Sequence, residues 1–136
     1  MIGTYVLVTY LKKNSEIKIG KLGNIDFPKG YYCYVGSAFG KTVNLKNRIG
    51  RYKKLLEEKK GNLKWHIDYF LVNPNTSFIK TFILNNKKIE CEISQKLEDK
   101  AKETVRGFGS SDCNCKGHFH YFKTKQNFEK ILEGLT

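Results

Sequence analysis

The chain has 136 residues, 40% hydrophobic and 13% aromatic, which is the size and composition of one ordinary domain able to bury its own core. No apolar run reaches membrane-spanning length, and Met1-Ile2-Gly3-Thr4-Tyr5-Val6 has neither the basic lead nor the small-residue cleavage site of a signal peptide. Lys and Arg number 25 against 13 Asp and Glu, a formal net charge of +12. Such a surplus suits a polyanionic partner, because neutralised phosphates release counterions, although a lysine-rich surface kept for solubility would carry the same charge.

Gly3 to Leu11 is β-rich and predicts a first strand. Lys12-Lys13-Asn14-Ser15 is a polar turn, and Glu16 to Lys21 alternates Ile17 and Ile19 with charged residues, as a half-exposed strand does. Phe27-Pro28-Lys29-Gly30 is turn chemistry, followed by a strand over Tyr31 to Val35. Asn44 to Lys59 reads as a helix, with Leu45, Ile49, Tyr52 and Leu56 in one apolar stripe and Gly61-Asn62 ending it. Trp65 to Leu71 favours a short helix, Ser77 to Leu84 a strand, and Lys88 to Val105 a second long helix. Gly107 to Ser111 is a loop, His118 to Phe122 an edge strand, and Gln126 to Glu133 a closing helix.

No repeat, low-complexity tract or linker divides the chain, so residues 1–136 are read as one domain. The pattern predicts an α+β fold, a small mainly antiparallel sheet flanked by helices. The four cysteines are read as reduced thiols of a cytoplasmic protein, with Cys33 and Cys91 as small buried side chains.

Polar residues stand at the ends of the apolar elements. Tyr5 and Tyr34 lie in two strands that can pair, while Arg48 and Tyr52 are one helical turn apart, about 6 Å between Cβ atoms. Glu92 falls early in another helix. These types suffice for phosphoryl chemistry: a carboxylate to hold a divalent metal, an arginine for the charged phosphorane, and a phenol to relay a proton. Singly, each is more often structural.

Gly3-Thr4-Tyr5, then Tyr34-Val35-Gly36, then Arg48 twelve residues after Gly36 with Tyr52 one turn beyond, resembles the signature of the GIY-YIG nuclease superfamily. Trp65-His66-Ile67-Asp68-Tyr69, Glu90-Cys91-Glu92-Ile93 and Gly107-Phe108-Gly109-Ser110-Ser111-Asp112-Cys113 look like a small archaeal branch of it, a stand-alone domain also found fused to endonuclease III-like proteins. The resemblance spans nearly the whole chain. It departs in its triplet spacing, 31 residues from Gly3 to Tyr34 where members have about half that, and an inserted strand around Ile17 to Lys21 accounts for the excess. Thr4 and Val35 replace isoleucine but keep β-branched strand character.

The resemblance implies a metal-dependent endonuclease that cuts phosphodiester bonds in DNA, in a repair setting with a repair protein as partner. Glu92 would bind a single Mg²⁺ or Mn²⁺, with Glu90 the alternate if the register is off by two. Arg48 would contact the scissile phosphate, Tyr52 would position it, and one of Tyr5 and Tyr34 would help activate the attacking water. His66 is a further acid or base, or else a core histidine beside Trp65. Asp68 is read as bonding backbone.

Cys113, Cys115, His118 and His120 are chemically competent zinc ligands, but Cys-x-Cys is tighter than the usual knuckle, so structural zinc is not the favoured reading there. The rival to a nuclease is a nucleic-acid-binding domain that keeps the fold without cleaving. DNA is favoured over RNA as the partner. Nothing in the pattern fixes the oligomeric state.

Overall fold

The computed structural model describes residues 2–40, 44–109 and 114–135. It is an α+β fold whose main sheet has five strands, all pairs antiparallel. The central strand β1 (Gly3–Leu11) pairs on one side with β5 (Thr76–Asn85) and on the other with β4 (Gly30–Ala38). Beyond β4 come β7 (Phe119–Phe122) and the two-residue β6 (Glu103–Thr104), giving the order β5-β1-β4-β7-β6. A separate hairpin, β2 (Ser15–Lys18) with β3 (Asn24–Phe27), occupies the stretch between the two tyrosine triplets.

Strand β1 is apolar at nearly every position because both of its faces are covered. Successive side chains of a strand point to opposite faces. Tyr5 and Leu7 enter one core, together with Tyr32 and Tyr34 of β4, while Val6 and Val8 enter another with Cys33 and Val35. Against the first face pack α1 (Leu45–Glu58), α2 (His66–Leu71) and the β2–β3 hairpin through Ile17 and Phe27. Against the second pack α3 (Glu90–Lys100) and α4 (Gln126–Glu133) through Ile93, Leu97, Phe128 and Leu132. None of the helices among the described residues is long and apolar enough to cross a membrane.

Helix α1 starts at Asn44, whose Oδ1 accepts the Asn47 N–H at 2.9 Å, a side-chain cap on one of the first orphan amides. It stops at Lys59, the predicted last residue, in a left-handed conformation (φ 57°). The Lys59 ammonium compensates by donating to the carbonyls of Thr76 (2.6 Å) and Leu71 (3.2 Å), which ties α1 to α2 and β5.

Several sequence expectations need correction. The predicted helix from Lys88 to Val105 is confined to Glu90–Lys100; Glu103–Thr104 leaves it to pair with β7. Strand β7 is therefore internal, with the short β6 at the edge. The predicted strand from Glu16 to Lys21 ends at Lys18, and Gly20–Leu22 forms one 3₁₀ turn before β3. Cys33 is fully buried as expected, but Cys91 is exposed. Ser110, Ser111, Asp112 and Cys113 lie outside the described residues.

Candidate active-site cleft at one end of the sheet

Strands β1 and β4 pair with Tyr5 opposite Gly36, and that register builds the floor of the site. The Tyr5 ring lies across Gly36 so closely that a Cβ there would collide with its hydroxyl, which is why the triplet ends in glycine. From α1, Tyr52 meets Tyr5 in a buried hydroxyl–hydroxyl hydrogen bond of 2.7 Å. Tyr34, two residues before Gly36, packs edge-on against Tyr52 with centroids 6.4 Å apart. Gly109, at φ +67°, lets its loop close over the Tyr34 ring, where a Cβ would stand 2.9 Å from the ring edge.

Above this floor opens a cleft of about 430 Å³ lined by Tyr34, Ser37, Arg48, Tyr52, His66 and Glu90, with Lys64 and Trp65 at its side. Arg48 projects from α1 and donates through Nη1 to the Ser37 carbonyl at 2.6 Å. Its Nε is buried and makes no hydrogen bond of good geometry among the described residues, while burial raises the pKa of the Tyr5 hydroxyl and the guanidinium acts on it closely enough to lower it in part. Trp65 is gripped by two guanidiniums, Arg48 and Arg51, whose Cζ atoms stand 4.6 Å and 4.7 Å from the ring. Arg51 in turn forks onto Asp68, both nitrogen–oxygen distances being 2.7 Å. Asp68 also accepts the backbone N–H groups of Lys64 and Trp65, as its sequence position suggested.

The carboxylate that reaches the cleft is Glu90, the first residue of α3. It accepts the Ser37 hydroxyl on Oε1 at 2.8 Å and faces His118 Nδ1 through Oε2 at 3.2 Å. Burial pushes its pKa up, but the bonds from His118 and Ser37, with the charges of His118 and Arg48, outweigh that and leave it below the ordinary carboxylate value. Glu92, two residues on, is exposed and lines a neighbouring cavity instead.

Burial likewise raises the pKa of Tyr5, Tyr34 and Tyr52, with Arg48 offsetting only part of the rise. All three are thus neutral phenols, not resting phenolates. His66 accepts the Gly109 N–H on Nδ1 at 3.0 Å, which assigns a neutral ring carrying its proton on Nε2. Desolvation lowers its pKa, in keeping with that tautomer.

The fold therefore brings together Tyr5, Tyr34, Arg48, Tyr52 and His66, and leaves Glu92 apart. Tyr5 is fully buried beneath the cleft, whereas Tyr34 and Tyr52 line it. Sequence reasoning assigned no role to Ser37, which anchors both Arg48 and Glu90; its only signal is that it directly follows Gly36 at a strand end. Of the residues weighed for zinc, His120 is buried, with one ring nitrogen on Ser94 (2.8 Å) and the other on Thr104 (2.7 Å), so it faces away from Cys115 chemistry. Searches of curated proteins and of solved structures gave no match to the chain. Residues 4–136 match the family described as domain of unknown function DUF123, and the protein belongs to that family.

Proposed function

We propose that this chain is a metal-dependent endonuclease of the GIY-YIG superfamily, cutting phosphodiester bonds in DNA. The observation that carries the reading is a single cleft lined by Arg48 and an ionised carboxylate, Glu90, over a floor of tyrosines. A phosphate oxygen is the natural acceptor for the Arg48 guanidinium that lines the cleft, since guanidinium–phosphate bonds are charge-assisted.

Glu90 replaces Glu92 as the residue offered to Mg²⁺ or Mn²⁺. Mg²⁺ is commonly held by one or two carboxylates, with water and substrate phosphate completing its shell, and Glu90 keeps lone pairs beyond those used by Ser37 and His118. When bound, the ion would supply Lewis-acid stabilisation of charge on the phosphate and leaving oxygen. Arg48 clamps the phosphate, its other end fixed by the Ser37 carbonyl. Tyr34, the phenol of the Tyr5–Tyr34 pair that lines the cleft, orients the attacking water; Tyr5 is a positioning residue that fixes Tyr52. His66 donates through Nε2–H, a role as hydrogen-bond donor and not as base.

The raised phenol pKa values favour one rival, a domain that grips nucleic acid through Arg48, Arg51 and Trp65 without cutting it. Labelled single-stranded, duplex, abasic and branched DNA, incubated with Mg²⁺ or Mn²⁺, separates the two. Cleavage that is lost in Glu90→Gln while binding persists supports the nuclease. Binding without cleavage in the native protein supports the rival.

A further inference from the structure

Helix α3 carries a second chemical group beside Glu90. The sulfurs of Cys91 and Cys115 and a ring nitrogen of His118 lie within 4.8 Å of one another, although Cys91 comes from the helix start and the other two from the loop before β7. Tetrahedral zinc with two thiolates and an imidazole requires separations of about 3.8 Å between sulfurs and about 3.6 Å from sulfur to nitrogen. The cluster is thus within about 1 Å of ligating geometry, a gap within the reach of side-chain rotation.

Three further features belong to a built site. Cys115-Lys116-Gly117-His118 has the two-residue spacing at which a turn brings both ends to one ion. His118 Nδ1 stands 3.2 Å from Glu90 Oε2, a carboxylate–histidine juxtaposition of the kind that orients a metal-binding imidazole. A cavity of about 540 Å³ lined by Lys88, Glu90, Cys91, Glu92 and His118 gives a route of entry.

We propose that Cys91, Cys115 and His118 bind one zinc ion, with water in the fourth position. The two thiolates select a soft ion and discriminate against Mg²⁺, so this site is chemically distinct from the oxygen-lined cleft. The ion would pin the start of α3 to the loop before β7. Because His118 stands against Glu90, it would also keep that carboxylate toward Ser37. The inference stands whether or not the cleft cleaves DNA.

The test uses untagged full-length protein, stripped of metal and titrated with Co²⁺ as a spectroscopic probe, followed by competition with Zn²⁺. The expected result is one equivalent bound, with thiolate-to-cobalt charge transfer and the intense visible bands of a tetrahedral ion. Cys91→Ser and Cys115→Ser should each reduce the charge-transfer band and weaken Co²⁺ binding by at least about tenfold. Cys91 is exposed, so its variant is expected to stay folded, as circular dichroism will check. Absence of charge transfer in the native protein would overturn the proposal, as would an unaltered spectrum and affinity in folded Cys91→Ser.

Discussion

Tyr5, Tyr34 and Tyr52 meet with ring centroids 5.9–6.4 Å apart, close enough for each to exclude water from the next. That mutual burial decides their chemistry: a charged phenolate there would lack solvation, so the phenols stay neutral. The same logic governs His66. Its pKa is lowered by desolvation, and its Nδ1 must stay unprotonated to accept from Gly109. A base whose folded pKa lies below its unfolded value of about 6.5 stabilises the fold fully above that value, and the contribution is lost as pH falls through the folded pKa. The His66 ring, followed by NMR, is therefore expected to titrate below the ordinary histidine value, with the Gly109 amide signal moving in step. A midpoint at or above that value would contradict the assignment.

At the scale of elements, α2 is held by its own first turn. Asp68 is fully buried, takes both arms of Arg51 and accepts two backbone amides at the helix start. Asp68→Ala would leave those amides without their acceptor, and Arg51 without the pair that sets it against Trp65. We expect a loss of about 3 kcal/mol in denaturant unfolding, at the low end for a broken buried pair because Arg51 is partly exposed. A loss below about 1 kcal/mol would mean that α2 is held by Ile67, Phe70 and Leu71 alone.

The long elements were legible because their signals are redundant. Leu45, Ile49, Tyr52 and Leu56 mark a buried helical face, and β1 shows the apolar run of a strand covered on both sides. Short elements were not: β3 has a single buried residue, Phe27, and β6 is only Glu103–Thr104, too few for a period to show. For the site, the resemblance offered Glu92 with Glu90 as the alternate two residues away, and which of the two lines the cleft is set by tertiary packing. Two residues on a helix are rotated by about 200°, so the two carboxylates lie on different faces. Cys91 was legible as a helical residue, but its meeting with Cys115 and His118 is tertiary and leaves no trace in local spacing.

For the whole molecule, the sheet separates two cores, and the proposed chemistry sits where their helices meet its end: Arg48 from the α1 side, Glu90 from the α3 side, both joined to Ser37. The chain as a whole carries a formal net charge of +12. If phosphates are the partner, affinity for duplex DNA should fall at least about 100-fold between about 50 and 200 mM salt, as several released counterions require. Salt-independent binding, read by fluorescence anisotropy, would contradict a phosphate-led interface.

The measurement that bears most directly on the central claim compares Glu90→Gln with Glu92→Gln on one cleavable DNA substrate at saturating Mg²⁺. The cleft geometry predicts that Glu90→Gln loses about 100-fold or more in cleavage rate with binding retained, whereas Glu92→Gln stays within about threefold of the native protein. The reverse order, with Glu92→Gln inactive and Glu90→Gln near native, would contradict the assignment of the catalytic carboxylate to Glu90.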